Sequence, residues 1–144
     1  MARDLGGPAL TAQLLIYPML DHRNTTPSSH AIQDTRTWSR QANVQAWAHY
    51  LGGNAPSIYA SPAIATDLGG LPPAFISVGT YDLFLDENVA YATALHRAGV
   101  SCELRTYPGF IHAQGGLCKD HPTSKRVATD VADFLVRALA GELF

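Results

Sequence analysis

Three short apolar runs, spaced by longer polar or amphipathic stretches, set the pattern of the chain. The run from Leu10 to Leu20 holds Leu14, Leu15 and Ile16 and ends at Tyr17-Pro18, which suits a strand buried on both faces of a parallel sheet. Pro73-Ala74-Phe75-Ile76-Ser77-Val78-Gly79 is a second run, with Pro72-Pro73 before it and Gly79 at its end. Its length, β-branched residues and flanking breakers predict a buried strand. Cys102-Glu103-Leu104-Arg105-Thr106-Tyr107 alternates as a third strand, and Pro108-Gly109-Phe110-Ile111-His112 leaves its carboxyl end. Between the second and third runs, Asp86 stands where an N-cap belongs, Ala90, Ala94, Leu95 and Ala98 share a helical face, and Gly99 supplies the stop. A strand, helix and strand of this length imply parallel strands joined by a right-handed crossover.

The remaining segments fit around that unit. From Asp21 to Thr37 the residues turn to His, Asn, Thr, Pro and Ser, which predicts a long solvated loop. Val44, Trp47, Ala48 and Leu51 then recur at helical spacing before Gly52-Gly53, so a helix over 39–51 is expected, with Trp47 in the core. Residues 54–71 are rich in Pro, Ser, Ala and Gly and read as loop, as does the glycine-containing stretch 113–118. A last helix begins near Thr123 or Ser124. Val127, Ala128, Val131, Ala132, Leu135, Ala138 and Leu139 form its apolar stripe, which should cover one face of the sheet. The architecture expected is α/β: three parallel strands near residues 10–18, 73–79 and 101–107 with flanking helices, in three layers and one undivided domain over 1–144.

Composition narrows the function more than the fold. The 144 residues are 47% hydrophobic and 15% charged, with a formal net charge of -2. Neither nucleic acid nor an anionic membrane surface is attracted by such a charge, and a small neutral substrate fits better. No run approaches the roughly 18 apolar residues of a membrane span, and no signal-peptide core follows Met1. A cytoplasmic location is therefore expected. Cys102 and Cys118 lack any Cys-x-x-Cys spacing and read as reduced thiols. Cys118 with His121 is one pair at metal-like spacing, too few to complete a zinc site, so neither metal nor cofactor is expected.

The chemistry-bearing residues lie at strand ends. Asp82 follows the second strand and His112 the third, where parallel sheets gather ligands and catalytic groups. Taken alone, a carboxylate after a strand is more often a turn or helix cap. The rival acids Asp86 and Glu87 are explained by their place at a helix start through capping and the macrodipole. His22, His30, His49, His96 and His121 occupy ordinary polar positions.

Gly79-Thr80-Tyr81-Asp82-Leu83-Phe84-Leu85-Asp86-Glu87-Asn88-Val89-Ala90-Tyr91-Ala92, then Leu95, Ala98-Gly99-Val100, Glu103-Leu104, Tyr107-Pro108-Gly109 and His112, resemble the second half of an α/β-hydrolase of the hormone-sensitive-lipase-like carboxylesterase family. Leu14-Leu15-Ile16-Tyr17-Pro18-Met19-Leu20-Asp21, Thr26-Pro27-Ser28, Tyr50-Leu51-Gly52-Gly53, Ser61-Pro62 and Asp67-Leu68-Gly69-Gly70-Leu71-Pro72-Pro73 match the same family in the same order. The resemblance implies an esterase or lipase-type hydrolase acting on a small ester. It implies Asp82 as the triad acid and His112 as the triad base. It also implies that the segment from Asp21 and the helix after it flank the acyl pocket.

Such a hydrolase carries its serine in a Gly-x-Ser-x-Gly elbow, with an upstream His-Gly-Gly-Gly-type loop for the oxyanion. Neither motif occurs. Ser28, Ser29, Ser39, Ser57, Ser61, Ser77 and Ser101 stand in no such frame. The family order of serine, acid and histidine would put the nucleophile before Met1, and residues 2–8 resemble the end of the helix after the elbow. The expectation is a C-terminal part that is inactive alone, completed by an N-terminal half or self-associated as an oligomer. The alternative is a non-catalytic remnant that uses its sheet edge for association.

Overall fold

The computed structural model describes residues 1–143. Their order is β1 (Gln13–Ile16), α1 (Pro27–Ala31), α2 (Arg40–Leu51), a 3-10 turn (Pro62–Ile64), β2 (Ala74–Tyr81), α3 (Leu85–Arg97), β3 (Cys102–Ile111), α4 (Gln114–Leu117) and α5 (Pro122–Ala140). The three strands form one parallel sheet in the order β1-β2-β3, with Gln13 beside Ala74 and Ala74 beside Cys102. The expected α/β architecture is present. No described helix is long and apolar enough to cross a membrane.

The layers follow from the two-residue alternation of side chains along a strand. On one face of β2, Ala74 and Ile76 pack with Tyr91, Ala92 and Leu95 of α3 and with Leu20, Leu68 and Val100. On the other, Phe75 stacks against Phe134 of α5 at 5.3 Å, while Tyr107 and Phe110 of β3 pack on Val127 and Val131. Residues Ala74 to Gly79 are buried throughout, as a strand covered on both sides requires. Tyr107 adds a polar stitch by donating its hydroxyl to Asp130 at 2.8 Å. Burial, and secondarily that bond, push the phenol well above its ordinary range.

Several expectations need correction. β1 is an edge strand whose Leu14 and Leu15 are half-buried and whose Ile16 is exposed, so it is not covered on both faces. The stretch from Asp21 to Thr37 contains α1, capped by Thr26, whose hydroxyl accepts from the Ser29 N–H at 3.2 Å. Asp21, Asn24 and Ser29 within it are buried, so this is packed structure rather than a solvated connector. α2 has the expected limits and Trp47 is buried, but Val44 and Ala48 face outward and Asn43 takes the inner position. α5 buries Ser124, Val127, Phe134 and Ala138 and leaves Leu135 and Leu139 exposed. Its covered face is narrower than the apolar stripe. The stretch 113–118 includes the single turn α4.

β3 continues past Tyr107 to Ile111, and the register between β2 and β3 shifts between Gly79 and Tyr81. The shift depends on a missing side chain. A Cβ on Gly79 would lie 1.9 Å from the backbone oxygen of Phe110, well inside any van der Waals contact. Gly109, in the left-handed region at φ 72°, donates its N–H to the Thr80 hydroxyl at 2.9 Å and closes the irregularity. Gly79→Ala should lower the unfolding free energy toward the upper end of the about 1–3 kcal/mol typical of overpacked sites. A urea midpoint equal to that of the parent would contradict this.

Candidate active site

The carboxyl ends of β2 and β3 carry the two expected groups, and the irregularity at Gly79 brings them together. Asp82 follows Tyr81, the last residue of β2, and is fully buried. Its Oδ1 accepts the Phe84 N–H at 3.0 Å, and its backbone oxygen accepts the Leu85 N–H. This Asx-type turn fixes the carboxylate while leaving Oδ2 free to face outward. His112 follows Ile111, the last residue of β3, and its Nδ1 lies 3.0 Å from Asp82 Oδ2. Its side chain is 17% exposed. Ala113 behind it takes φ 59°, a left-handed turn that starts the reversal into α4.

With Nδ1–H donating to the carboxylate, Nε2 carries the lone pair and can accept and return a proton. Three aromatic rings hold the imidazole. Tyr17 and Phe84 meet it edge-on at 4.7 Å and 5.3 Å, and Trp38 lies tilted against it at 5.9 Å. Phe84 is buried, whereas Trp38 is 37% exposed, so the indole forms the open wall of the site. Its Nε1–H donates to Asn43 Oδ1 at 3.1 Å, and Asn43 Nδ2 donates to Asn24 Oδ1 at 2.6 Å. Arg40 closes the network on the Asn24 backbone oxygen. Sequence reasoning did not single out Trp38. An aromatic residue at the end of a polar stretch was the available signal.

The rival acids have other tasks. α3 is capped at Phe84 with no side-chain cap bond, so Asp86 is not its N-cap. Asp86 Oδ2 instead accepts the Ser28 N–H at 2.7 Å, while the Ser28 hydroxyl accepts the Asp86 N–H and donates to the Leu83 backbone oxygen. Glu87 does more than favour the helix dipole. It is buried, and its Oε1 accepts the N–H groups of Leu20 at 2.7 Å and Asp21 at 3.2 Å. Asp21 itself is held below its ordinary range by Arg23, despite burial. The other expected bystanders are structural: His121 caps α5, His96 meets the Cys102 backbone oxygen, and His22 meets Ser61. Cys102 and Cys118 are both free.

Most of the serines hold structural places. Ser77 lies inside β2, Ser61 bonds His22 and Leu20, Ser39 caps α2, and a further serine, Ser124, is buried in the first turn of α5. Concavities of about 220 and 370 Å³ border Gln13 and Leu71, at the amino ends of β1 and β2. They lie at the opposite end of the sheet from His112, where parallel sheets do not gather catalytic groups.

A scan against protein families matches residues 1–114 to the alpha/beta hydrolase fold. Carboxylesterase NlhH of Mycobacterium tuberculosis is 37% identical over 118 residues, which is 78% of this chain and 37% of the relative. An acetyl-hydrolase of Streptomyces hygroscopicus is 31% identical over 147 residues, covering 97% and 47% respectively. Among solved structures, a bacterial heroin esterase superposes with a TM-score of 0.92 at 38% identity, over 96% of this chain and 45% of the other. Esterase LipW of Mycobacterium marinum gives 0.91 at 36%, over 96% and 44%. The chain thus spans less than half the length of these relatives.

Burial pushes the Glu87 carboxyl from 4.5 up to about 7, and the nearby Asp21 and Asp82 add to the rise, against the two backbone donors that favour its charge. A raised carboxyl favours the protonated folded state. Its contribution to stability is therefore complete below pH 4.5 and is lost as pH rises through about 7. Glu87→Gln removes that loss. Against the parent, the variant should gain up to about 3 kcal/mol of unfolding free energy between pH 4.5 and pH 8, and an equal pH dependence in both chains would contradict this.

Proposed function

The chain belongs to the alpha/beta hydrolase fold family, in its hormone-sensitive-lipase-like carboxylesterase branch, and on that premise we propose that Asp82 and His112 are the acid and base of carboxylic-ester hydrolysis. The observation that carries this reading is the bond from His112 Nδ1–H to Asp82 Oδ2, made at the carboxyl ends of adjacent parallel strands. The carboxylate fixes the tautomer and stabilises the imidazolium. His112 Nε2 takes the proton of an attacking hydroxyl and returns it to the leaving alcohol. The substrate class is a small carboxylic ester, and Trp38 and Tyr17 supply apolar walls beside the base.

None of the serines of this sequence stands in the Gly-x-Ser-x-Gly frame that carries the nucleophile in such hydrolases. We therefore read the chain as holding two thirds of a triad. A second reading, association without catalysis, draws on the open outer edge of β1 and on exposed Ile16, Leu135, Val136 and Leu139. Unpaired strand edges and bare apolar helix faces favour pairing with another chain.

A chain of this sequence alone should not hydrolyse short-chain p-nitrophenyl esters above background. Activity that His112→Ala abolishes would overturn that. In a form that also contains the serine elbow, Asp82→Asn should lower kcat by about 10⁴-fold, the loss seen in the best-studied triad. Asp86→Asn should leave kcat within a few-fold and reduce stability by about 1 kcal/mol or less through the Ser28 tether; equal kcat losses in both variants would mean that the acid is wrongly assigned. Light scattering on the isolated chain separates the readings further: a stable monomer at high micromolar concentration removes the association reading.

A further inference from the structure

The first turn of α3 grips the loop that leaves β1 at two places, and neither grip has a part in the proton transfers. Glu87 Oε1 accepts the N–H groups of Leu20 and Asp21, and Asn88 Nδ2 donates to the Pro18 backbone oxygen at 2.9 Å. Both side chains are buried; the Glu87 bonds are buried at both ends and the Asn88 bond is partly buried, so water competes little for them. The loop they hold is Tyr17 to Asp21. Tyr17 opens it in the left-handed region at φ 38° and donates its N–H to the Ser77 backbone oxygen. A non-glycine residue persists there only when its surroundings hold it. The ring presented by that backbone meets His112 edge-on at 4.7 Å.

We propose that Glu87 and Asn88 are positioning residues for His112, acting through the Tyr17–Asp21 loop to keep the tyrosine ring against the imidazole. Asp82 fixes the Nδ1 end of the imidazole by a hydrogen bond, which still lets the ring rotate about that axis. The tyrosine edge blocks the rotation on one side and buried Phe84 blocks it on another. Acid and loop are thus set by one helix start: the turn that holds the Asp82 carboxylate leads directly into the residues that hold the loop after Tyr17. At the far end of the loop, the Asp21 carboxylate closes a local pair with Arg23 while its N–H is held by Glu87. This inference rests on the reading of His112 as the base, but its test does not use catalysis.

The test is a nuclear Overhauser measurement between the Tyr17 and His112 rings in the whole chain at pH 6. The contact should be strong in the parent and in Glu87→Gln, which keeps an acceptor oxygen, and lost in Glu87→Ala. Val127→Ala weakens the α5 side of the sheet and touches neither residue, so it should keep the contact. If Glu87→Ala does not fold, Asn88→Ala takes its place with the same expected loss. A contact that persists in the folded alanine variant overturns the proposal, as does one lost equally in Val127→Ala, which would make the effect general destabilisation. Failure of Asp82→Asn to reduce turnover in a form that also contains the serine elbow would instead remove the catalytic assignment, and the ring contact would still be read independently of it.

Discussion

The close passage of β3 across Gly79 is the constraint on which the site depends. Two regular parallel strands keep their neighbours in even register, and here Ser77 pairs with Arg105 and Gly79 with Tyr107 before the spacing changes and Tyr81 meets Ile111. The added residues on β3 turn its end back over β2. The Phe110 carbonyl then occupies the space a side chain on Gly79 would fill. The reward is geometric: His112 reaches the Oδ2 atom of a carboxylate that its own strand's neighbour has just turned outward. Thr80 and Gly109 lock the distortion with a single bond, so the irregularity is defined on both strands.

What the residue pattern revealed was whatever depends on local period. β2, the helical part of α3 and the body of α5 were legible because packing on a sheet demands an alternation or a stripe, and each of these elements packs on it. Asp82 and His112 stand at strand ends, which parallel sheets make chemically special. It was the family resemblance, not the local pattern, that suggested them as acid and base, since a carboxylate after a strand reads locally as a turn or cap. β1 misled for the same reason: Leu14-Leu15-Ile16 has the composition of a covered strand, and coverage depends on what lies beyond it.

The illegible part is long-range polar contact. Glu87 at a helix start already satisfies the macrodipole argument, so nothing local signals that its carboxyl turns inward to Leu20 and Asp21. α1 is five residues long, too short to form on intrinsic propensity. It persists because Asp86 receives its first turn and because the Asn24, Asn43 and Arg40 network lies behind it. Asn43 sits at the inward position of α2 that a hydrophobic count would give to a leucine. That substitution of polar for apolar packing also explains why Val44 and Ala48 were misplaced. In each case at least one partner lies more than ten residues away, beyond the window in which periodicity operates.

The parallel pairing also dictates an order of assembly. Joining β2 to β3 closes the chain from Ala74 to Cys102, whereas joining β1 to β2 closes it from Gln13 to Ala74, about twice the length. Each doubling of a flexible loop adds about 0.6 kcal/mol of closure entropy, and β1 offers only four residues to repay it. On closure entropy the β2–α3–β3 unit is expected to form first, with α5 able to dock on it early. By the same argument β1 and the Tyr17 loop should be recruited last and open before the rest. Amide exchange should fall into two classes along that division, and the tyrosine beside the imidazole belongs to the faster one.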